Sequence, residues 1–113
     1  MNTKVIKDWV DALRSGEYSQ CQGQLTDGNN YCCLGVLCEI LNKTNPDIIT
    51  KSDISYNHCT FTLPNAVVEF VGLSSSNPSI KYQTEDRSLS SLNDRYKLTF
   101  NQIADLIEES FLK

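Results

Sequence analysis

The chain has 113 residues, 40% apolar and 21% charged, which is the composition of one ordinary globular domain over 1–113, small enough that homo-oligomerisation is expected. Its net charge of −4, with no basic stripe, argues against direct nucleic-acid binding, because Lys and Arg neutralising phosphates supply most of that affinity. No apolar run approaches the roughly 20 residues of a membrane span and no signal-peptide core is visible, so a cytoplasmic chain with no membrane partner is expected, its five cysteines reduced and packed as small apolar side chains.

Asn2 or Thr3 can cap a first helix in which Ile6, Trp9, Val10 and Leu13 recur at i, i+3, i+4, i+7, with Gly16 as its left-handed stop. Tyr18 to Leu25 reads as an extended segment that meets the turn signal Asp27-Gly28-Asn29-Asn30, which predicts a small hairpin leading into Tyr31. From Tyr31 to Leu41 runs the densest apolar stretch. Cys33, Val36, Leu37, Ile40 and Leu41 share one helical face, and Leu34 and Cys38 widen it until only Gly35 and Glu39 are not plainly apolar. This predicts a central helix over about 33–42. Gly costs a helix interior about 1 kcal/mol relative to Ala, so Gly35 is expected to be there for the close approach of another backbone.

Asn42 to Asn57 is polar with few apolar anchors and reads as a flexible surface connection, with a short turn around 47–49. Cys59-Thr60-Phe61-Thr62-Leu63 alternates like a short strand, and Pro64 opens a helix through Val67, Val68 and Phe70 that stops at Gly72. After the Ser74–Pro78 loop, Ile80-Lys81-Tyr82 reads as a strand, polar Thr84 to Ser88 follows, and Leu89 and Leu92 lead into Asn93-Asp94, a turn-former that places two polar side chains at a rim. The last helix is the best signalled. Thr99-x-x-Gln102 is a capping box, Leu98 and Ile103 are placed as a hydrophobic staple, and Ile103, Leu106, Ile107 and Phe111 form a buried stripe with Asp105, Glu108 and Glu109 outside. The fold class expected is α+β, with three or four helices packed around a small antiparallel sheet or hairpin.

Five Cys and one His invite a zinc reading, but Cys32-Cys33, Cys38 and His58-Cys59 show none of the paired spacings that aim tetrahedral ligands at one ion. No metal and no cofactor is expected. A Cys nucleophile with His58 as base needs only spatial adjacency, yet nothing marks one thiol as activated, and Asp105, Glu108 and Glu109 have the spacing of a solvated helix face. No Walker loop, G-x-G-x-x-G or H-E-x-x-H occurs, so no catalytic residue is assigned. A binding cluster is more visible. Arg14 can take a phosphate bidentately, Ser15 offers a hydroxyl, Gly16 frees the backbone, Tyr18 can stack on a base and Gln20 can read a polar edge, with Asn93 and Asp94 as further polar groups. The plain alternative is that Arg14 satisfies the last carbonyls of the first helix and Tyr18 packs.

Trp9-x-x-Ala12-Leu13-Arg14-Ser15-Gly16-x-Tyr18-x-Gln20, Gly23-x-Leu25, Tyr31-Cys32-Cys33-Leu34-Gly35-Val36-Leu37-Cys38, Leu63-Pro64, Leu92-Asn93-Asp94 and Phe100-x-x-Ile103-Ala104-Asp105-x-Ile107-Glu108 together resemble a family of small proteins encoded mainly by phages and prophages. The resemblance covers nearly the whole chain. One departure is Cys21-Gln22-Gly23, where the family usually has a small or basic residue and Gly after the Gln. A phage setting implies a counter-defence role in the host cytoplasm. The leading expectation is a non-catalytic sponge for a nucleotide immune signal of the cyclic dinucleotide or cyclic or conjugated ADP-ribose type, bound in a pocket completed between subunits. The rival is a protein-binding inhibitor, anti-CRISPR-like, whose acidic face at Asp105, Glu108 and Glu109 blocks a nucleic-acid channel. Third comes a small nucleotide hydrolase using Asp94 and Cys32 or Cys33.

Overall fold

The computed structural model describes residues 1–113. In chain order the elements are α1 (Thr3–Arg14), α2 (Cys33–Thr44), β1 (Lys51–Ser52), β2 (Ser55–Tyr56), α3 (Asn65–Val71), β3 (Ser79–Tyr82), β4 (Glu85–Ser88), α4 (Leu89–Asp94) and α5 (Phe100–Phe111). The fold is α+β: five helices with two separate two-stranded antiparallel sheets, β1–β2 and β3–β4. In register, Lys51 faces Tyr56 across the first sheet and Ile80 faces Arg87 across the second.

The apolar spacing that predicts α2 is met by burial. Every residue from Cys33 to Glu39 is buried, as is Leu41, and the helix runs two residues past the expected end, to Thr44. Its N-terminus is capped by Cys32, whose Sγ accepts the Gly35 N–H at 3.4 Å. α1 lies against α2 and α5 and also touches α3, while α2 reaches α4 and α5 reaches β3 and α4. Trp9, fully buried, donates its Nε1–H to the Cys33 carbonyl at 2.9 Å and so fixes α1 against the start of α2. Leu25 meets the opposite side of that turn. A Cβ placed on Gly35 would lie 2.7 Å from the Leu25 carbonyl carbon and closer still to its oxygen, so only glycine admits that loop backbone.

The other helix ends follow their sequence signals. Asn2 Oδ1 accepts from Val5 N, Gly16 (φ +79°) and Gly72 (φ +86°) take left-handed conformations after α1 and α3, and the Thr99–Gln102 capping box is reciprocal.

Four expectations are corrected. No hairpin precedes α2: Tyr31 pairs singly with Gln20 and with Thr26, because positive φ at Gly23 and Gly28 curls the segment into a loop that drops Leu25 into the core. Its tip is an Asx turn in which Asp27 Oδ1 accepts from Asn29 N and Asn30 N. Residues 59–63 form no strand beyond the single bridge of Cys59 to Tyr56, and Phe61 is left 66% exposed. The stretch 42–57 holds the β1–β2 hairpin, anchored by fully buried Tyr56, with Ile49 buried just before it. Leu89–Asp94 is a helix, where the sequence suggested a turn. Six Ser-rich residues have little intrinsic helicity, and burial of Leu89, Leu92 and Asn93 with a Ser88 cap on Ser91 N holds them in place.

Gly35→Ala tests the close approach. Intrinsic propensity favours Ala by about 1 kcal/mol, so a loss of about 2 kcal/mol or more in chemical denaturation is expected from the clash with Leu25, and a gain would show the backbone contact to be loose.

Candidate functional site

The residues expected to form a binding cluster are distributed over four different roles. Arg14 ends α1 facing α5, where its guanidinium meets Asp105 at 2.6 Å and Glu108 at 3.3 Å. Those hydrogen bonds, with the added charge attraction, hold the Glu108 carboxyl below its ordinary range. Ser15 is a C-terminal cap, its hydroxyl donating to the Ala12 carbonyl at 2.7 Å and accepting from Glu17 N, and Gly16 makes the turn out of the helix. Gln20 and Asn93 form a polar joint inside the molecule. Gln20 Nε2 donates to Asn93 Oδ1 and to the Leu98 carbonyl, each at 2.8 Å, while Asn93 Oδ1 also accepts Cys33 N and Asn93 Nδ2 donates to the Cys21 carbonyl and to Asp94 Oδ1. Asn93 has no exposure, so the expected rim position is corrected to an interior one. Asp94 accepts from it at the half-buried end of α4.

Tyr18 stands apart from this group and belongs to a second one. Its ring meets Tyr31 edge to face at a centroid distance of 5.4 Å, and Lys43 Nζ lies 5.4 Å from the Tyr18 ring and 3.3 Å from its hydroxyl. Lys51 Nζ lies 5.8 Å from the Tyr31 ring and 5.5 Å from that of Tyr56. Half-buried Tyr18, Tyr31 and Lys51 and exposed Lys43 therefore lie side by side over the side of α2 that carries Glu39 and Lys43. Below it, Glu39 Oε1 accepts both Tyr56 Oη and Lys51 Nζ at 2.7 Å. Burial works to lower the Lys51 ammonium, but the Glu39 hydrogen bond and charge prevail and leave it raised. Burial, then the bond to Glu39, pushes the Tyr56 phenol upward, so it stays a donor.

Sequence reasoning reached Tyr18 and missed Tyr31, Lys43, Lys51 and Glu39. A usable signal existed in Glu39 and Lys43 at i, i+4 on α2, an arrangement that puts both on one row of the helix. Lys51 carried none, because only the β1–β2 hairpin brings it back over Tyr31.

Three surface clefts lie elsewhere. One of about 480 Å³ between α1, α2 and α3 has an apolar floor including Ile40, Leu41 and Phe70, but its polar rim is occupied internally, by the Lys4–Asp8 pair, the Asn2 cap and the Thr44 bond to the Ile40 carbonyl. A shallower one of about 490 Å³ runs between α1 and α5 past Lys7 and Asp11. The third, about 260 Å³ between Tyr82 and Tyr96, contains Arg87, whose donors are taken by Tyr96 Oη, the Asp86 carbonyl and Glu85. None of them is lined by a residue of the expected binding cluster, and Glu108 of the expected acidic face borders the second.

All five cysteines are free thiols. Burial pushes Cys32 up to about 11 and raises Cys33 and Cys38 too, so these thiols stay protonated and are poor nucleophiles. No three His, Cys, Asp or Glu side chains converge as metal ligands. No helix is long and apolar enough to cross a membrane.

Two measurements check these assignments. Asn93→Ala leaves the Gln20 amide, the Cys33 N–H and the Cys21 carbonyl short of partners, and a stability loss of about 3 kcal/mol in urea is expected; a loss under 1 kcal/mol would mean water replaces the amide. Glu108, with its folded value depressed, contributes stability at pH above its ordinary range that is lost as pH falls through the folded value. In Arg14→Met a carbon-detected NMR titration should show Glu108 moving up to the ordinary carboxylate range, and an unmoved midpoint would refute the pairing in solution.

No curated protein and no solved structure matches the chain. One family model does, over residues 1–111, and the chain accordingly belongs to the family described as Domain of unknown function (DUF8296).

Proposed function

We propose that this protein is a binding protein for an anionic, ring-bearing small molecule of nucleotide type, which it captures without cleaving, and that the site is the face formed by Tyr18, Tyr31, Lys43 and Lys51. The observation that carries this reading is the pairing of two tyrosine rings with two ammonium groups on one surface of a chain whose net charge is −4. Lys51 is paired with Glu39, so Lys43 is the ammonium group left to meet an anion against that negative background. Base-on-aromatic stacking contributes about 1–3 kcal/mol per base, and a lysine meets phosphate as a point charge. Gln20 and Asn93 serve this site from inside, by fixing the loop that presents Tyr18. Arg14 is occupied by α5, and its charge goes to Asp105 and Glu108.

Capture without turnover fits the surrounding chemistry. The buried thiols are protonated, and neither the geometry nor the family match carries an indication of catalysis. Lys43 is exposed and the two rings are half-buried, which suits a second subunit closing over the ligand. In the phage setting that the family resemblance implies, the role is removal of a nucleotide immune signal of the host. The rival inhibitor reading loses weight because Asp105 and Glu108, two of the three acidic residues it uses, are already paired with Arg14.

Melting the protein with a panel of cyclic dinucleotides and cyclic or conjugated ADP-ribose species tests the proposal. A ligand at 100 times its dissociation constant adds about 2.7 kcal/mol of stability, and the bound compound should be recovered intact after denaturation. Tyr18→Ala and Lys43→Ala should abolish the shift. A ligand that still stabilises both variants would place the site elsewhere, recovery of a cleaved product would make the protein an enzyme, and no shift across the panel would point to a protein target.

A further inference from the structure

The cleft of about 480 Å³ between α1, α2 and α3 rests on apolar side chains. Val5 and Leu41 of its floor are buried, and Ile40 and Phe70 are half-buried against the same core. Its volume is that of a small-molecule site, in which an apolar lining is combined with a few placed polar groups. At the rim, Lys4 and Asp8 pair at 2.7 Å, so the two charges there meet each other. Asn2 Oδ1 accepts Val5 N as the cap of α1. At the end of α2 the Thr44 hydroxyl lies 2.9 Å from both the Ile40 carbonyl and Asn45 Oδ1. Asn2 and Asn45, which line the cleft from opposite elements, thus each use the amide oxygen within the chain, while neither amide nitrogen donates to any group of the protein. Both residues are half-buried and no buried side-chain nitrogen lacks a partner, so both NH₂ groups are in reach of solvent.

We infer that this cleft is a second ligand site, for a compact neutral molecule with an apolar body and a carbonyl acceptor, such as the amide or ester of an aryl or short alkyl acid. The body covers Ile40 and Phe70, and the apolar area it removes from water drives binding. The carbonyl oxygen takes hydrogen bonds from the NH₂ groups of Asn2 and Asn45, which only donate and so give nothing to a ligand that presents a donor there. Charge is selected against. With Lys4 and Asp8 balanced and the chain at −4, a carboxylate would give up water without gaining a counter-ion. The site is separate from the tyrosine–lysine face: on α2, Ile40 and Thr44 form one row at i, i+4, and Glu39 and Lys43 form the next.

Two probes of one shape that differ in charge test the idea: 4-phenylbutanamide and 4-phenylbutanoate, each titrated into the protein while proton–nitrogen NMR spectra are followed. The amide should saturably move the side-chain NH₂ signals of Asn2 and Asn45 and the backbone signals of Ile40 and Phe70, leaving those of Tyr18 and Tyr31 in place. The carboxylate should bind about tenfold more weakly, or worse. Asn2→Asp and Asn45→Asp keep the oxygen that Val5 N or Thr44 uses and replace the donor by an acceptor, so each should weaken the amide probe about fivefold or more in a chain whose spectrum is otherwise that of the folded protein. Absence of saturable shifts at these residues, or shifts centred on Tyr18, overturns the cleft as a site. Carboxylate binding as tight as that of the amide overturns the neutral class, and undiminished binding in both variants overturns the role of the two asparagines. Should one variant not fold, the other variant and the wild-type comparison of the two probes decide.

Discussion

The Asn93 side chain sits in the interior with its oxygen shared by Gln20 and the Cys33 amide and its nitrogen shared by the Cys21 carbonyl and Asp94. Through it the loop after α1, the first turn of α2 and the end of α4 are held in one arrangement, and Gln20 extends the joint to Leu98 just ahead of α5. A buried amide is costly when partners are missing and specifying when they are all present. Here its donors and acceptor are all used, which ties a short helix of weak propensity to a loop without regular structure. The position of Tyr18, two residues before Gln20, is inherited from that joint.

Around it, packing is dominated by α2, whose first two turns have no outward side. Seven consecutive buried residues of α2 require neighbours on every flank, and they are supplied by Trp9 of α1, Leu25 of the loop, Leu89 and Leu92 of α4 and Tyr56 of β2. Glu39 is the single carboxylate in this stretch, and two donors accompany it inward. The remaining ion pairs are solvent-exposed in whole or in part, and pairs of that kind contribute little stability, generally under about 1 kcal/mol each. Charge in this protein does more to orient α1 on α5, through Arg14, than to stabilise the chain.

Helices were legible in the sequence wherever local signals agreed with burial. α1, α2, α3 and α5 each carry apolar residues at helical spacing, α1 and α3 with signals at both ends and α5 with a capping box at its start, and the reason given for Gly35 is the one the backbone of Leu25 supplies. What escaped was set by distant partners. α4 exists because Leu89, Leu92 and Asn93 are buried by other elements, and the β1–β2 hairpin because Tyr56 finds Glu39 seventeen positions earlier in the chain. Alternation in 59–63 and turn residues in 27–30 promised strands, yet neither segment has a partner with matching register, so single bridges are all that form. For the proposed site, the sequence pointed to Tyr18 by residue type but grouped it with chain neighbours. The structure groups it with Tyr31, Lys43 and Lys51 by fold.

The cysteines have a consequence for the life of the protein outside its native state. Cys32, Cys33 and Cys38 are enclosed and protonated when folded, so oxidants in solution find little thiolate to attack. Unfolding exposes them together with Cys21 and Cys59, two of them adjacent in sequence, and none with a native partner to favour one pairing over another. A bridge that takes Cys33 or Cys38 is incompatible with the helix that these residues must rebuild. Reversibility of folding is thereby tied to a reducing medium: with reductant the chain can return from the unfolded ensemble, and without it an excursion that ends in such a bridge is a loss.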